Sequence, residues 1–489
     1  MRLARDFSEG FRIILINIIE FTLQTNIQPV RFSSQLMANT STPDALAIIK
    51  FMAQKPWSMW LDSCNSEHVD NRFDIFVWQP VAQVMSKHGQ TIVKQNDQEH
   101  VTTRDPLTAV EQQINQCFCD VDIVKSPLPF SGGAVGYFSY DLGRQFEKLP
   151  TAAHNDLDIY DMAVGIYDQA IIIDKRQNQV YLFCEDSKRN ALTKQLISQA
   201  KAPLSLTPFM LTSDWHANMT KAEYIEKFEK IQDFLLSGDC YQINLTQRFN
   251  AHYVGDEFTA YLSLREHNNA PFSAFINLEE LSVLSISPER FIQVKENKVQ
   301  TKPIKGTRPR SKDQAIDQAN KTDLLNATKD KAENLMIVDL LRNDLSKACR
   351  AGSVQVPKLF DIESFPAVHH LVSTVEGDLA ADKLSVDLLR GAFPGGSITG
   401  APKIRAMEII EALEPHRRNI YCGSIGYISA CGNMDTSITI RTLTCYNNHI
   451  YCSAGGGIVA DSKADDEYQE TFDKVNKILP ILSQLTDNK

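Results

Sequence analysis

The sequence predicts an α+β fold, on three observations. Short runs rich in β-branched and aromatic residues recur along the chain, longer amphipathic segments stand apart from them, and the two do not alternate regularly as in a βαβ chain. With 489 residues, 43% hydrophobic and 22% charged, there is material for a large core; a disordered tail or a disulfide-stapled miniprotein is excluded. Length alone allows about two to four domains.

The elements follow in order. Arg2, Arg5 and Arg12 precede an apolar stretch over residues 13–23 that is interrupted by Asn17 and Glu20. It is too short to cross a bilayer and no small-residue cleavage site follows it, so an amphipathic N-terminal helix or a misplaced translation start is expected rather than a membrane anchor or signal peptide. From Pro56 the pattern is that of a folded domain. Strands are predicted over residues 73–77, 163–173 and 180–184, and a glycine-bounded strand over 132–137. Residues 201–214, with Pro203 and Pro208 among Ser, Thr and Leu, read as a linker. Beyond it, helical spacing predicts helices over 221–237, 327–341 and 464–482, the last with Tyr468, Phe472, Val475 and Leu479 on one stripe. Short strands are expected at 282–287, 423–429, 437–444 and 450–453. No internal repeat is visible.

Sixty acidic against fifty basic residues give a net charge of -10, which disfavours nucleic acid and anionic membranes as partners. Ten cysteines without a CxxC pair or a Cys/His cluster of zinc spacing fit free thiols in a reducing, cytoplasmic setting.

Several segments carry chemistry. Asp330 and Glu333 are three apart on one predicted helix, as are Glu467 and Glu470 on another. Two such faces turned toward each other would offer oxygen ligands to Mg2+, although acids at this spacing more often form a solvated face. Residues 392–403 form a glycine-rich turn entering a helix, and 453–457 a glycine run at a strand end; either can meet an anion with free amides or be a tight turn. Ala401 and Pro402 exclude a Walker loop. Lys305, in the basic run 301–310, can be a desolvated nucleophile or an exposed charge. Glu289 follows a strand, where it can act as a general acid or pair with an arginine.

Taken in series these segments are far more specific. Ser287-Pro288-Glu289-Arg290-Phe291, Pro303-Ile304-Lys305-Gly306-Thr307, the run from Ala332 to Asp344, Phe365-Pro366-Ala367-Val368-His369-His370-Leu371, the run from Gly396 to Lys403 and the run from Gly455 to Ser462 resemble, in order, motifs of the chorismate-utilising enzymes. The resemblance spans roughly residues 45–485 and weakens before about residue 28. It implies a large two-sheet β-sandwich with flanking helices, formed by interleaved N- and C-terminal regions: an N-terminal extension (1–44), an N-terminal region (45–200), the linker (201–214) and a chorismate-utilising catalytic domain (215–485).

The resemblance also implies roles. Glu333 and Glu470 match direct Mg2+ ligands, with Glu467 and Asp330 acting through water; Asp330 stands where relatives often have Glu. Arg441, Tyr421, Gly455, Gly457 and Lys474 match positions around the substrate carboxylates, and Gly306, Thr307, His370 and Ser397 match positions around its ring. Lys305 separates branches. Anthranilate-forming members typically carry Ala there, whereas the branch serving para-aminobenzoate has Lys, a covalent nucleophile at C2 of chorismate assisted by Glu289 as general acid/base. Gln242 stands where isochorismate-forming members place a lysine that activates water. The implied reaction is amination of chorismate at C4, giving 4-amino-4-deoxychorismate for para-aminobenzoate and folate. None of the ten cysteines sits in a nucleophile elbow, so ammonia would come from a separate glutamine amidotransferase subunit. Leu61-Asp62-Ser63 and Asn269-Ala270-Pro271-Phe272 match a tryptophan pocket, structural or regulatory, lined by Ser63 and Pro271. The alternatives are the anthranilate-forming activity and a silent regulatory or scaffold subunit; the joint presence of Glu289, Lys305, Glu333, Arg441 and Glu470 disfavours the second.

Overall fold

The structure is a computed structural model that describes residues 29–485, apart from 38–39, 65–67, 69, 202–203, 205 and 365–367. The apolar stretch at 13–23 lies outside the described residues, as do Pro203 of the linker and Phe365-Pro366-Ala367 of the fourth motif. No described helix is long and apolar enough to cross a membrane.

Two large sheets, of 14 and 12 strands, carry the fold, and nearly all their pairings are antiparallel. Each is assembled from both halves of the chain and has one seam between them. In the first sheet the seam is Ser58–Asp62 against Phe272–Asn277; in the second it is Gly133–Phe138 against Ser424–Ser429. The expected α+β sandwich with interleaved regions is therefore the observed one. Val30–Leu36 pairs with Gln179–Glu185, so sheet structure begins before residue 45.

Alternation along the strands explains the layering. Ile172 packs with Val135, Tyr137 and Tyr427 between the sheets, whereas its neighbours Ile171 and Ile173 face the outer helices with Trp60 and Leu196. Ala134 and Phe138 likewise turn outward, onto the helices Pro106–Phe118 and Thr328–Ser346. Strands covered on both faces read as continuous apolar runs, and this hid the corners of the fold. The predicted strand 163–173 is two, Met162–Tyr167 in the second sheet and Ala170–Asp174 in the first. The predicted strand 437–444 likewise divides into Met434–Ile438 and Thr442–Tyr446, which belong to different sheets.

Two further expectations are corrected. The glycines 455–457 lie within the strand His449–Ile458 rather than at its end: the opposing strand Gln242–Val254 leaves no room for a Cβ at Gly455 or Gly457, and Glu467 and Glu470 crowd Gly456. The predicted helix 464–482 breaks into Ala464–Asp473 and Leu479–Gln484, the second having Pro480 in its first turn. The helices Lys221–Leu236 and Thr328–Ser346 form as expected; the first opens on a capping box between Thr220 and Glu223.

Candidate active site

Two places where the chain steps between the sheets meet. Pro288 and Glu289 connect Leu281–Ser287 of the first sheet to Arg290–Lys295 of the second, and residues 439–441 connect the second back to the first. The crossings are hydrogen-bonded together: Ile438 N donates to Glu289 O at 3.1 Å, Ile286 N to Arg441 O at 3.0 Å, and Ser287 Oγ to Ile438 O at 2.6 Å. Arg441 takes φ +51° at its corner, a left-handed backbone unusual for a non-glycine residue. The corner thus places an acid and a guanidinium side by side.

Glu289 is buried, and its carboxylate accepts a hydrogen bond from Ser397 Oγ at 3.1 Å. Burial pushes its carboxyl up to about 7 against the pull of Lys305, Ser397, Lys474 and Arg441. The alternative of a Glu289–arginine pair does not form with its neighbour. Arg290 turns to Asp435, at 2.9 Å, and to Asp70, also at 2.9 Å.

Lys305 lies on Ile304–Pro309, an edge strand whose register with Val368–Asp378 slips between Ile304 and Thr307. The irregularity leaves Lys305 and Gly306 out of the ladder, with Gly306 at φ +82° and no room for a Cβ, which would fall 2.9 Å from Asp330 Cγ. Lys305 acts electrostatically on Glu289, Glu333 and Glu470. Thr307 Oγ1 lies 2.8 Å from His370 Nδ1. Burial, reinforced by Arg441, lowers His370 to about 4, so the imidazole is neutral near pH 7.

The acids converge opposite. A Cβ at Gly456 would stand 2.9 Å from Glu467 Oε2 and 3.2 Å from Glu470 Oε1, so only glycine lets the helix Ala464–Asp473 bring both carboxylates onto this strand. Lys474, at the end of that helix, donates to Gly455 O at 2.7 Å and pairs with Glu470 Oε1 at 2.6 Å. Burial raises Glu333, with Asp330 and Glu470 adding repulsion. Burial likewise raises Glu467, and Glu470 adds to it. Glu470 falls below its ordinary value because Lys474, Lys305 and Lys329 outweigh its burial. Ser462 Oγ holds Glu467 Oε1 at 2.6 Å, while Glu467 Oε2 is buried without a hydrogen-bond partner. An orphaned carboxylate oxygen among mutually repelling acids fits a hard divalent cation. Asp330 is farther engaged: it pairs with Arg308 at 3.2 Å.

Gly455 and Gly457 face Thr246 and Asn244 across the ladder, and Tyr421 is half-buried beside Thr246. The structure thus brings together Glu289, Lys305, His370, Ser397, Arg441, Glu333, Glu467, Glu470 and Lys474, with Asp330 at the border. Sequence reasoning missed the pair Glu414–Arg418. Arg418 donates to both Glu414 oxygens at 2.7–3.0 Å, to Ile398 O and Asn244 O at 2.9 Å each, and Glu414 accepts from Thr246 N at 3.0 Å. It ties the Ser397 turn to the strand facing the glycines; the i,i+4 acid–base spacing was the available signal. Lys329, 4.0 Å from Glu333 at the same spacing, was also missed.

Ser63 and Pro271 line a separate cavity of about 290 Å3 with Leu61, Asp62, Phe272 and Arg290. The seam between Ser58–Asp62 and Phe272–Asn277 is what joins these two segments.

The model of the chorismate binding enzyme family matches residues 58–480. The chain belongs to the chorismate binding enzymes. Among these enzymes, the aminodeoxychorismate synthase component 1 of Klebsiella aerogenes is 56% identical over 430 residues, covering 88% of this chain and 94% of that protein. Its counterpart of the same name from Escherichia coli is 54% identical over 434 residues, with 88% and 95% covered. The crystal structure of anthranilate synthase component I from Streptococcus pneumoniae superposes with a TM-score of 0.76 at 31% identity, covering 91% of this chain and 99% of that one.

Proposed function

We propose that this chorismate binding enzyme aminates chorismate at C4, giving 4-amino-4-deoxychorismate, with ammonia supplied from glutamine by an amidotransferase subunit. The observation that carries the reading is the placement of the Lys305 amine within electrostatic reach of a buried Glu289 held near neutrality. The identity to relatives named aminodeoxychorismate synthase component 1 supports it, and "component 1" accords with a second subunit.

Glu333 and Glu470 would hold Mg2+ directly, with Glu467 and, less closely, Asp330 through water. When bound, the ion supplies Lewis acidity and offsets the charge of a substrate carboxylate. The chain's own residues do the rest. Arg441 offers a planar donor fork to a carboxylate, with Tyr421, Lys474 and the amides of Gly455 and Gly457 around it. Ser397, Thr307, Gly306 and the neutral His370 contact the ring. The Lys305 amine attacks C2, both ring double bonds shift (C1=C2 to C1=C6 and C5=C6 to C4=C5), and the C4–O bond breaks as Glu289 protonates the departing hydroxyl, which leaves as water. Ammonia then attacks C4, both double bonds return, the C2–N bond breaks, and Glu289 takes up the proton that ammonia loses. Two displacements leave nitrogen at C4 with net retention. Gln242 has no basic nitrogen with which to activate water, which disfavours hydration at C2.

The test incubates the pure chain with chorismate, Mg2+ and an ammonium salt at alkaline pH and separates the aminated isomers against standards by mass spectrometry. Aminodeoxychorismate without pyruvate is expected; anthranilate with pyruvate would overturn the reading.

A further inference from the structure

His252 and His449 stand directly opposite each other on the antiparallel strands Gln242–Val254 and His449–Ile458. Phe249, Ala251 and Tyr253 are buried with the outer helices, so His252 shares the opposite face of the sheet with the residues that alternate with them. Its imidazole is exposed and that of His449 half-buried, with ring centroids 4.0 Å apart. His449 directly follows a two-residue turn in which Asn447 and Asn448 take φ +50° and +58°, the backbone of a tight hairpin. The turn sets Asn447 O 2.9 Å from His449 Nδ1. A carbonyl only accepts, so Nδ1 carries the proton and Nε2 presents its lone pair outward, the arrangement that metal-binding imidazoles require. The His252 side chain makes no hydrogen bond or ion pair among the described residues.

We infer that His252 and His449 form a binding site for a borderline divalent transition ion such as Cu2+, Ni2+ or Zn2+. Two imidazole nitrogens on one such ion lie about 3 Å apart, a separation that rings already in van der Waals contact reach by side-chain rotation. Nitrogen ligands without a carboxylate suit these ions and not Mg2+, so the site is chemically distinct from the acidic cluster. The same ladder runs from His252–His449 to Asn244–Gly457. An ion here clips together the two strands whose far ends form the wall of the candidate active site.

A second group, His154, Asp156 and His416, has ligand atoms within 4.8 Å of one another. There both Asp156 oxygens are held by Arg248, at 3.0 and 2.5 Å. Asn218 Oδ1 accepts from Arg248 N, which turns its Nδ2 donor toward His416 Nδ1 at 3.2 Å and leaves the His416 proton on Nε2. Asp156 and His416 are thus already engaged, the first in an ion pair with Arg248 and the second in a hydrogen bond with Asn218.

The probe is Cu2+ complexed with iminodiacetate, which leaves two adjacent coordination positions open, added to the full chain after its exposed thiols, Cys119 and Cys431, are capped with N-ethylmaleimide. Electron paramagnetic resonance with spin-echo modulation should report one copper per chain bound by two imidazoles. His252→Asn and His449→Asn should each weaken binding at least tenfold. His216→Asn, opposite Asn250 on the same face, should not, and chorismate turnover in all three variants checks that they are folded. Absence of binding, a single coordinated imidazole, retention of copper in both variants, or its loss on His154→Asn would each overturn the inference.

Discussion

Removing the carboxyl of Glu289 should destroy activity and yet stabilise the protein at alkaline pH. Burial holds this group at about 7, against 4.5 for an ordinary glutamate. The folded state therefore binds the proton more tightly than the unfolded chain does. That contribution to stability is fully present below about pH 4.5 and is lost as pH rises through about 7, amounting to about 3 kcal/mol in all. Glu289→Gln keeps an acceptor for Ser397 Oγ, is of nearly equal volume and stays neutral at every pH, so it escapes the loss. Urea unfolding of both proteins, without substrate or metal, should show the variant gaining about 2–3 kcal/mol on the wild type between pH 5 and pH 8. Packing differences and all other titrating groups cancel in that comparison. Turnover with chorismate and ammonia should meanwhile fall by about 10²–10⁴, the usual contribution of a positioned proton donor. A stability gap that is the same at both pH values would refute a Glu289 carboxyl held near neutrality, and undiminished turnover would refute its role as the acid.

Other predictions follow from the same geometry. Lys305→Ala should lower amination by at least about 10³ while chorismate still binds, measured by calorimetry beside product analysis; wild-type rates would remove the covalent step. Glu470→Gln should raise the Mg2+ concentration needed for half-maximal activity by about tenfold or more, since it removes a proposed ligand and the partner of Lys474; an unchanged metal requirement would exclude it from the ion's coordination. His370, lowered to about 4, should show the nitrogen shifts of a neutral imidazole from pH 6 to 9 in a labelled sample, and a titration near 6.5 would contradict its burial beside Arg441. Tryptophan should protect the cavity lined by Ser63 and Pro271 against thermal unfolding, an effect lost in Ser63→Trp, which fills the space; equal protection of that variant would place the ligand elsewhere.

Much of the fold was legible because apolar runs and helical stripes report burial directly. What periodicity could not convey is where a strand turns a corner. At Asp168–Gln169 and at residues 439–441 the chain leaves one sheet for the other, yet the strands on either side are buried alike, and their composition does not change. The second corner produces the φ of Arg441, so the pattern was least informative where the candidate site is built. The acids at 330, 333, 467 and 470 were visible as i,i+3 pairs, but spacing alone could not separate a solvated face from a ligand set. For the second pair Gly456 argues against a solvated face, since the missing Cβ brings Glu467 and Glu470 against the strand. Nothing local joined Lys305 to Glu289 or Ser397 to either; only the order of motifs suggested it. The glycine run reads in sequence as a strand end because glycine usually marks one, whereas here it allows close approach within a strand.

The single seam in each sheet has a consequence for how the chain is made. When the first 200 residues have left the ribosome, Ser58–Asp62 and Gly133–Phe138 are both open edges, since their partners Phe272–Asn277 and Ser424–Ser429 come later. Two unpaired apolar edges must then be shielded during synthesis, the first for about sixty residues past the linker and the second almost to the end of translation. Chaperone demand should therefore fall in two steps as the nascent chain lengthens, and truncation within the catalytic half should produce aggregation rather than a smaller soluble domain.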